Sequence, residues 1–183
     1  MLLPASVAGL GWLGMQAAHE CGHVLGAWLT GGTVSKVVLH PLTFSRTDLA
    51  ANPHPLLVSW AGPIGGVVFP AILFAIAGLS RRRFTWIART FLGFCLLANG
   101  AYLSGGALWT MGDPADMIAL GAPRWLPVLI GLVLLGAGLC CWNGQGRFLG
   151  LAPGSVVNRG VAAILAGCLI AVIVLELMLS QPF

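Results

Sequence analysis

Along this chain the apolar positions form long runs, not alternating faces. Formally charged residues are absent from positions 1 to 18, 49 to 80, 90 to 112, 125 to 146 and 160 to 175. Each run is close to the ~20 residues a helix needs to cross the hydrocarbon core of a bilayer. Backbone groups in lipid must be satisfied within their own segment, so these runs predict spanning helices over about 4–29, 55–79, 84–111, 125–142 and 160–179. Thr30-Gly31-Gly32 supplies a stop for the first. Between Thr33 and Arg46 the chain turns to β-branched and aromatic residues around Pro41, which predicts a short hairpin or extended segment. The expected fold class is an all-α polytopic membrane protein of about five transmembrane helices, with a short membrane-associated β-hairpin-like segment after the first. It forms a single domain over 1–183 without repeats.

Composition strengthens the membrane reading. The 183 residues are 58% hydrophobic and 8% charged, with a mean hydropathy of +0.93, far too little charge for a water-soluble surface. Disorder, a disulfide scaffold and a collagen-like fibre are excluded. So is nucleic-acid binding, because the formal charge of +4 comes from scattered arginines and one lysine. The five cysteines mostly sit in apolar runs, where a thiol packs as a small hydrophobe. Residues 1 to 18 lack a basic n-region and run on into His19-Glu20, so they are expected to belong to a spanning helix and not to a signal peptide. Arg81, Arg82, Arg83, Arg89, Arg147 and Arg159 fall on one side of the five spans, and Lys36, Arg46 and Arg124 on the other. The positive-inside rule then puts the N-terminus in the cytoplasm.

Candidate chemistry is concentrated in the first span. His19-Glu20-Cys21-Gly22-His23 has the H-E-x-x-H spacing. On a helix the two histidines lie on one face a turn apart, within reach of one tetrahedral Zn²⁺. Glu20 projects about 100° away, where it can serve as general base toward the attacking water. The alternative is a pair of interhelical hydrogen-bonding histidines beside a buried glutamate. Three ionisable groups within five residues of a spanning helix are costly, about 2.5 kcal/mol or more each, which argues for a metal. Gly22 and Gly26 share the histidine stripe, and Gly62 and Gly66 in the second span form a matching pair of notches.

A catalytic zinc needs a third protein ligand and an open fourth position. The remaining acids are Asp48, Asp113, Asp116 and Glu176, and the remaining histidines are His40 and His54. Asp113 and Asp116 follow the third span, which runs in the same direction as the first, so they reach the membrane face toward which His19 and His23 lie. Asp113 also reads as a helix N-cap with Pro114 at the first helical position. Glu176, near a span end, is expected to be interfacial. Asp48, His40 and His54 are expected in solvated or interfacial loop roles.

These residues resemble the site-2 protease family of intramembrane zinc metalloproteases. The likeness covers His19 to His23, Gly31-Gly32 with the strand-like segment, Ala61-Gly62-Pro63, and an aspartate two spans after the zinc helix. It is nearest to the compact, divergent bacterial branch without added domains. The resemblance implies metal ligation by His19, His23 and Asp113, with Asp116 in reserve, and catalysis by Glu20. It further implies Zn²⁺ as cofactor, a membrane-protein or peptide substrate, a place in the bacterial inner membrane, and strand pairing of substrate with segment 33–46. Pro114-Ala115 stands where the family has Gly-Gly, and Asn99 is the nearest upstream asparagine. A non-catalytic metal-binding membrane protein, acting as sensor or partner-binding subunit, is the alternative.

Overall fold

The computed structural model describes residues 1–80 and 84–179; the basic run at 81–83 lies outside the described residues. Helix α1 (Leu2–Leu29) is followed by strands β1 (Thr33–Val38) and β2 (Arg46–Ala51) and helix α2 (Pro55–Ser80). Then come α3 (Thr85–Trp109), the short α4 (Gly112–Ala119), α5 (Trp125–Trp142), a single turn α6 (Gly146–Leu149) and α7 (Arg159–Leu179). The five long helices lie close to the predicted spans. A helix does start around Pro114, as expected, but α4 begins at Gly112 with Met111 as its N-cap, and Pro114 lies in its first turn, where an N–H has no helical partner anyway.

Helix α1 ends as its glycines predict. Gly31 takes φ +76°, and the Gly32 and Gly31 N–H groups donate to Ala27 and Trp28 carbonyls at 2.7 and 3.3 Å, a Schellman closure. The chain enters an antiparallel hairpin that reaches Ala51, further than the segment expected from sequence. Thr33 pairs with Ala51, Lys36 with Asp48, Val37 with Thr47 and Val38 with Arg46, with irregularities around Val34.

Small residues set the helix packing. A Cβ on Gly22 would overlap the Ala61 carbonyl oxygen, and one on Gly65 would lie 2.5 Å from Gly22 Cα, so α1 and α2 touch backbone to backbone. Likewise α3 meets α5 where a Cβ on Gly100 would lie 2.7 Å from Gly131 O. At the far end of that pair, Arg89 donates to the Cys140 and Asn143 carbonyls at 3.1 and 3.3 Å, closing the end of α5. Helix α7 leans on α1, with Leu169 over Gly9.

Helices α2, α3, α5 and α7 are long and apolar enough to cross a membrane. The fifth expected span, α1, is longer than any of them but carries Ser6, Gln16, His19, Glu20 and His23 on its buried side, which lowers its hydropathy. The most apolar window of α7 is only 11% buried and that of α5 only 17%. Side chains such as Leu132, Val133, Ile164 and Ile170 therefore point outward, an arrangement suited to lipid as solvent. The chain has an all-α, multi-pass membrane fold.

Gly22→Val should force α1 and α2 apart and cost about 1–3 kcal/mol, the usual range for overpacking. Thermal unfolding in detergent should show a lowered midpoint. Gly78→Val, at a position with no atom within 4 Å, should leave the midpoint unchanged.

Candidate metal centre

His19 and His23, four apart on α1, turn their rings toward α2 and α3. Both residues are 9% exposed. Their Nε2 atoms are 3.1 Å apart, and Asp113 Oδ2 lies 2.9 Å from His19 Nε2 and 3.2 Å from His23 Nε2. The edge of a tetrahedron built on metal bonds of ~2.0–2.1 Å is about 3.3 Å, so the three atoms could share one ion.

The opposite ring nitrogens fix what these three atoms can do. His23 Nδ1 lies 2.9 Å from the Val58 carbonyl, which only accepts, so Nδ1 carries the proton. Asn99 Nδ2 donates to the Cys95 and Gly66 carbonyls at 2.9 and 3.4 Å, which leaves its Oδ1 to accept from His19 Nδ1–H at 3.1 Å. With both Nδ1 positions donating, each imidazole in its neutral form presents a lone pair at Nε2, facing a carboxylate oxygen. Three acceptors converging on one point repel unless a proton or cation lies among them. This donor set, two imidazoles and a carboxylate with oriented outer partners, suits Zn²⁺.

The chain places Asp113 by a reversal after α3. Thr110 and Gly112 both adopt positive φ, 56° and 61°, and a Cβ on Gly112 would collide with the Tyr102 phenol. A β-branched residue in this region is strained, and here the strain turns the chain back over α3. Tyr102 Oη then accepts the Asp113 N–H at 2.8 Å, and the Tyr102 ring stands edge-on to His19 with centroids 5.5 Å apart. Burial alone would raise the Asp113 carboxyl, but a proton shared with the adjacent His19 and His23 rings holds it well below the usual carboxylate range, and a cation among the same three atoms would act in the same direction. It is not a capping residue: Met111 is the N-cap of α4, and no side chain caps that helix.

Glu20 is 3% exposed and lies outside the trio of potential ligands. Its Oε1 accepts from Ser45 Oγ at 2.6 Å and its Oε2 from Thr47 Oγ1 at 2.6 Å. Asp116 is on the exposed side of α4, and the structure does not bring it to the trio. Asp48 pairs with Arg46 on the hairpin at 3.2 Å, His40 accepts from the Leu42 N–H at 3.2 Å, and His54 is exposed. Glu176 is buried, 6% exposed, and does not join the trio.

Asn99, Tyr102, Ser45, Thr47 and the Val58 carbonyl are the parts of this centre that spacing does not reveal. A signal for two of them is present: Tyr102 is the only tyrosine in the chain, and Asn99 is an amide in a run without charge.

A multi-pass membrane fold whose first helix presents H-E-x-x-H, backed by a small-residue helix, defines a class of membrane-embedded metallopeptidase-like proteins. The sequence model of the Peptidase M50B-like family matches residues 4–109, more than half of the chain, and the chain belongs to that family, which is the site-2 protease family. The match covers α1 to α3 and ends just before Asp113. No curated protein and no solved structure matches the chain.

Asn99→Ala should free the His19 ring and lower Zn²⁺ affinity about 10–100-fold, as loss of an outer-shell partner does. Competition with a chelator in detergent measures it.

Proposed function

We propose that the protein is an intramembrane zinc metalloprotease that hydrolyses peptide bonds of membrane-embedded substrates. The reading is carried by the convergence of His19 Nε2, His23 Nε2 and Asp113 Oδ2 at one point beside a buried glutamate on the same helix. His19, His23 and Asp113 would hold the metal, leaving one position open. When bound, Zn²⁺ polarises the scissile carbonyl and lowers the pKa of water toward ~7.

The chain's own residues do the rest. Glu20 accepts the proton of the attacking water at a carboxylate oxygen and delivers it to the leaving amine nitrogen as the C–N bond breaks. Asn99 and Val58 hold the imidazoles in the Nε2-basic tautomer. A spanning helix keeps its carbonyls hydrogen-bonded, so substrate must be locally extended before attack. The two-stranded hairpin has free edges on which such a segment could pair.

The site lies where the C-terminal ends of α1 and α3 meet. Arg89, Arg147 and Arg159 lie toward the other end of the helices. Counted along the sequence with Arg81, Arg82 and Arg83, six basic residues belong to that side against Lys36, Arg46 and Arg124 on the other, an asymmetry that supports a cytoplasmic N-terminus.

Glu20→Gln should reduce cleavage by about 10²-fold or more with zinc content unchanged. Asp113→Ala should lose both zinc and cleavage, and Asp116→Ala should keep both. The assay is a synthetic single-span peptide with its helix interrupted by glycines, reconstituted with the protein in liposomes, beside zinc quantification. Cleavage that survives Glu20→Gln, or purified protein without zinc, sinks the proposal; zinc without cleavage leaves a metal-binding protein that is not an enzyme.

A further inference from the structure

Helix α1 carries a second polar stripe beside the histidines. Trp12, Gln16 and Glu20 recur every four residues and so share one face. All three grip the returning arm of the hairpin. Trp12 Nε1–H donates to the Pro41 carbonyl at 3.2 Å, and its ring meets Phe44 edge-on with centroids 5.8 Å apart. Gln16 Oε1 accepts the Ser45 N–H at 2.7 Å. One turn on, the Ser45 and Thr47 hydroxyls divide the two Glu20 oxygens between them.

The geometry of that last contact is specific. Along β2 the side chains alternate, so Arg46 and Asp48 pair with each other on one face while Thr47 turns to α1. Neither Ser45 nor Thr47 uses its hydroxyl within the hairpin. One bond to one oxygen would leave the carboxylate free to rotate; one bond to each oxygen fixes its plane. About four lone-pair sites exist on a carboxylate, so both oxygens keep a site open for a proton.

We propose that Ser45 and Thr47 are positioning residues that fix the plane of the Glu20 carboxylate, so that the hairpin also aims the base. The inference rests on the reading of Glu20 as general base. It ties the base to the one element with a free strand edge among the described residues. Substrate pairing on the hairpin would thereby act on the base without touching it.

The test uses full-length protein in liposomes with the glycine-interrupted single-span peptide. Thr47→Val keeps the shape and strand preference of threonine and removes only the hydroxyl; Ser45→Ala does the same for serine. The double variant should lose about 10–100-fold in kcat, the range for a lost outer partner or a small misplacement. KM and zinc content should stay as in the wild type, while the unfolding midpoint falls because the buried Glu20 carboxylate loses both partners. Ser45→Thr and Thr47→Ser, which keep the hydroxyls, should retain kcat.

An unchanged kcat in the double variant overturns the proposal. So does a loss confined to KM, or hydroxyl-keeping variants as impaired as the hydroxyl-free ones. An independent readout needs no cleavage: Glu20→Ala should speed amide hydrogen exchange across residues 41–47, and unchanged exchange there shows that no latch exists. A wild type that holds zinc but never cleaves refutes the protease reading and the positioning role together. Normal wild-type cleavage with a fully active double variant refutes the positioning role alone.

Discussion

The structure is organised around one electrostatic problem, the burial of His19, Glu20 and His23 inside a helix made for an apolar bilayer. Each such group costs about 2.5 kcal/mol or more in a spanning segment unless it finds partners. The partners come from every neighbouring element. Ser45 and Thr47 on the hairpin satisfy Glu20, Val58 on α2 satisfies His23, Asn99 on α3 satisfies His19, and Asp113 on α4 faces both rings. Helix α1 is thus fixed in rotation and depth by polar contacts on three sides, while α5 and α7 supply mainly apolar cover.

Close backbone approach makes those contacts reachable. A side chain on Gly62 would occupy the space of His23 and His19 Nε2, and one on Gly66 would occupy that of Asn99. Pro70 adds a second device. It lies inside α2 and has no N–H to offer the carbonyl four residues earlier, which belongs to Gly66. The Asn99 amide donates to that carbonyl at 3.4 Å. A helix-breaking residue in α2 therefore helps to orient an asparagine in α3, which in turn sets the tautomer of a histidine in α1.

How much was legible in the sequence follows from the physics of each signal. Spanning helices are legible because lipid demands long apolar runs, and H-E-x-x-H because a helix converts its spacing into a shared face. Asp113 stands out through scarcity, as one of five acids. The rest of the centre rests on single polar residues whose meaning depends on which helix they meet. Asn99 is separated from His19 by 80 positions, and no local period links them. Ser45 and Thr47 look like ordinary hairpin residues until the register turns Thr47 toward α1. The third span's end was readable, but the Thr110 reversal was not, because a threonine with positive φ goes against its own preference.

The contact between His19 and Asp113 joins residues 94 positions apart, and this has a consequence for biogenesis. Until α4 has been synthesised and has folded back over α3, a nascent chain contains the paired histidines and glutamate but not the aspartate that completes the trio. Every shorter N-terminal intermediate is therefore electrostatically unfinished, with polar groups in α1 awaiting their last partner. Completion of the trio therefore waits on synthesis of α4, the last element to supply one of its three atoms.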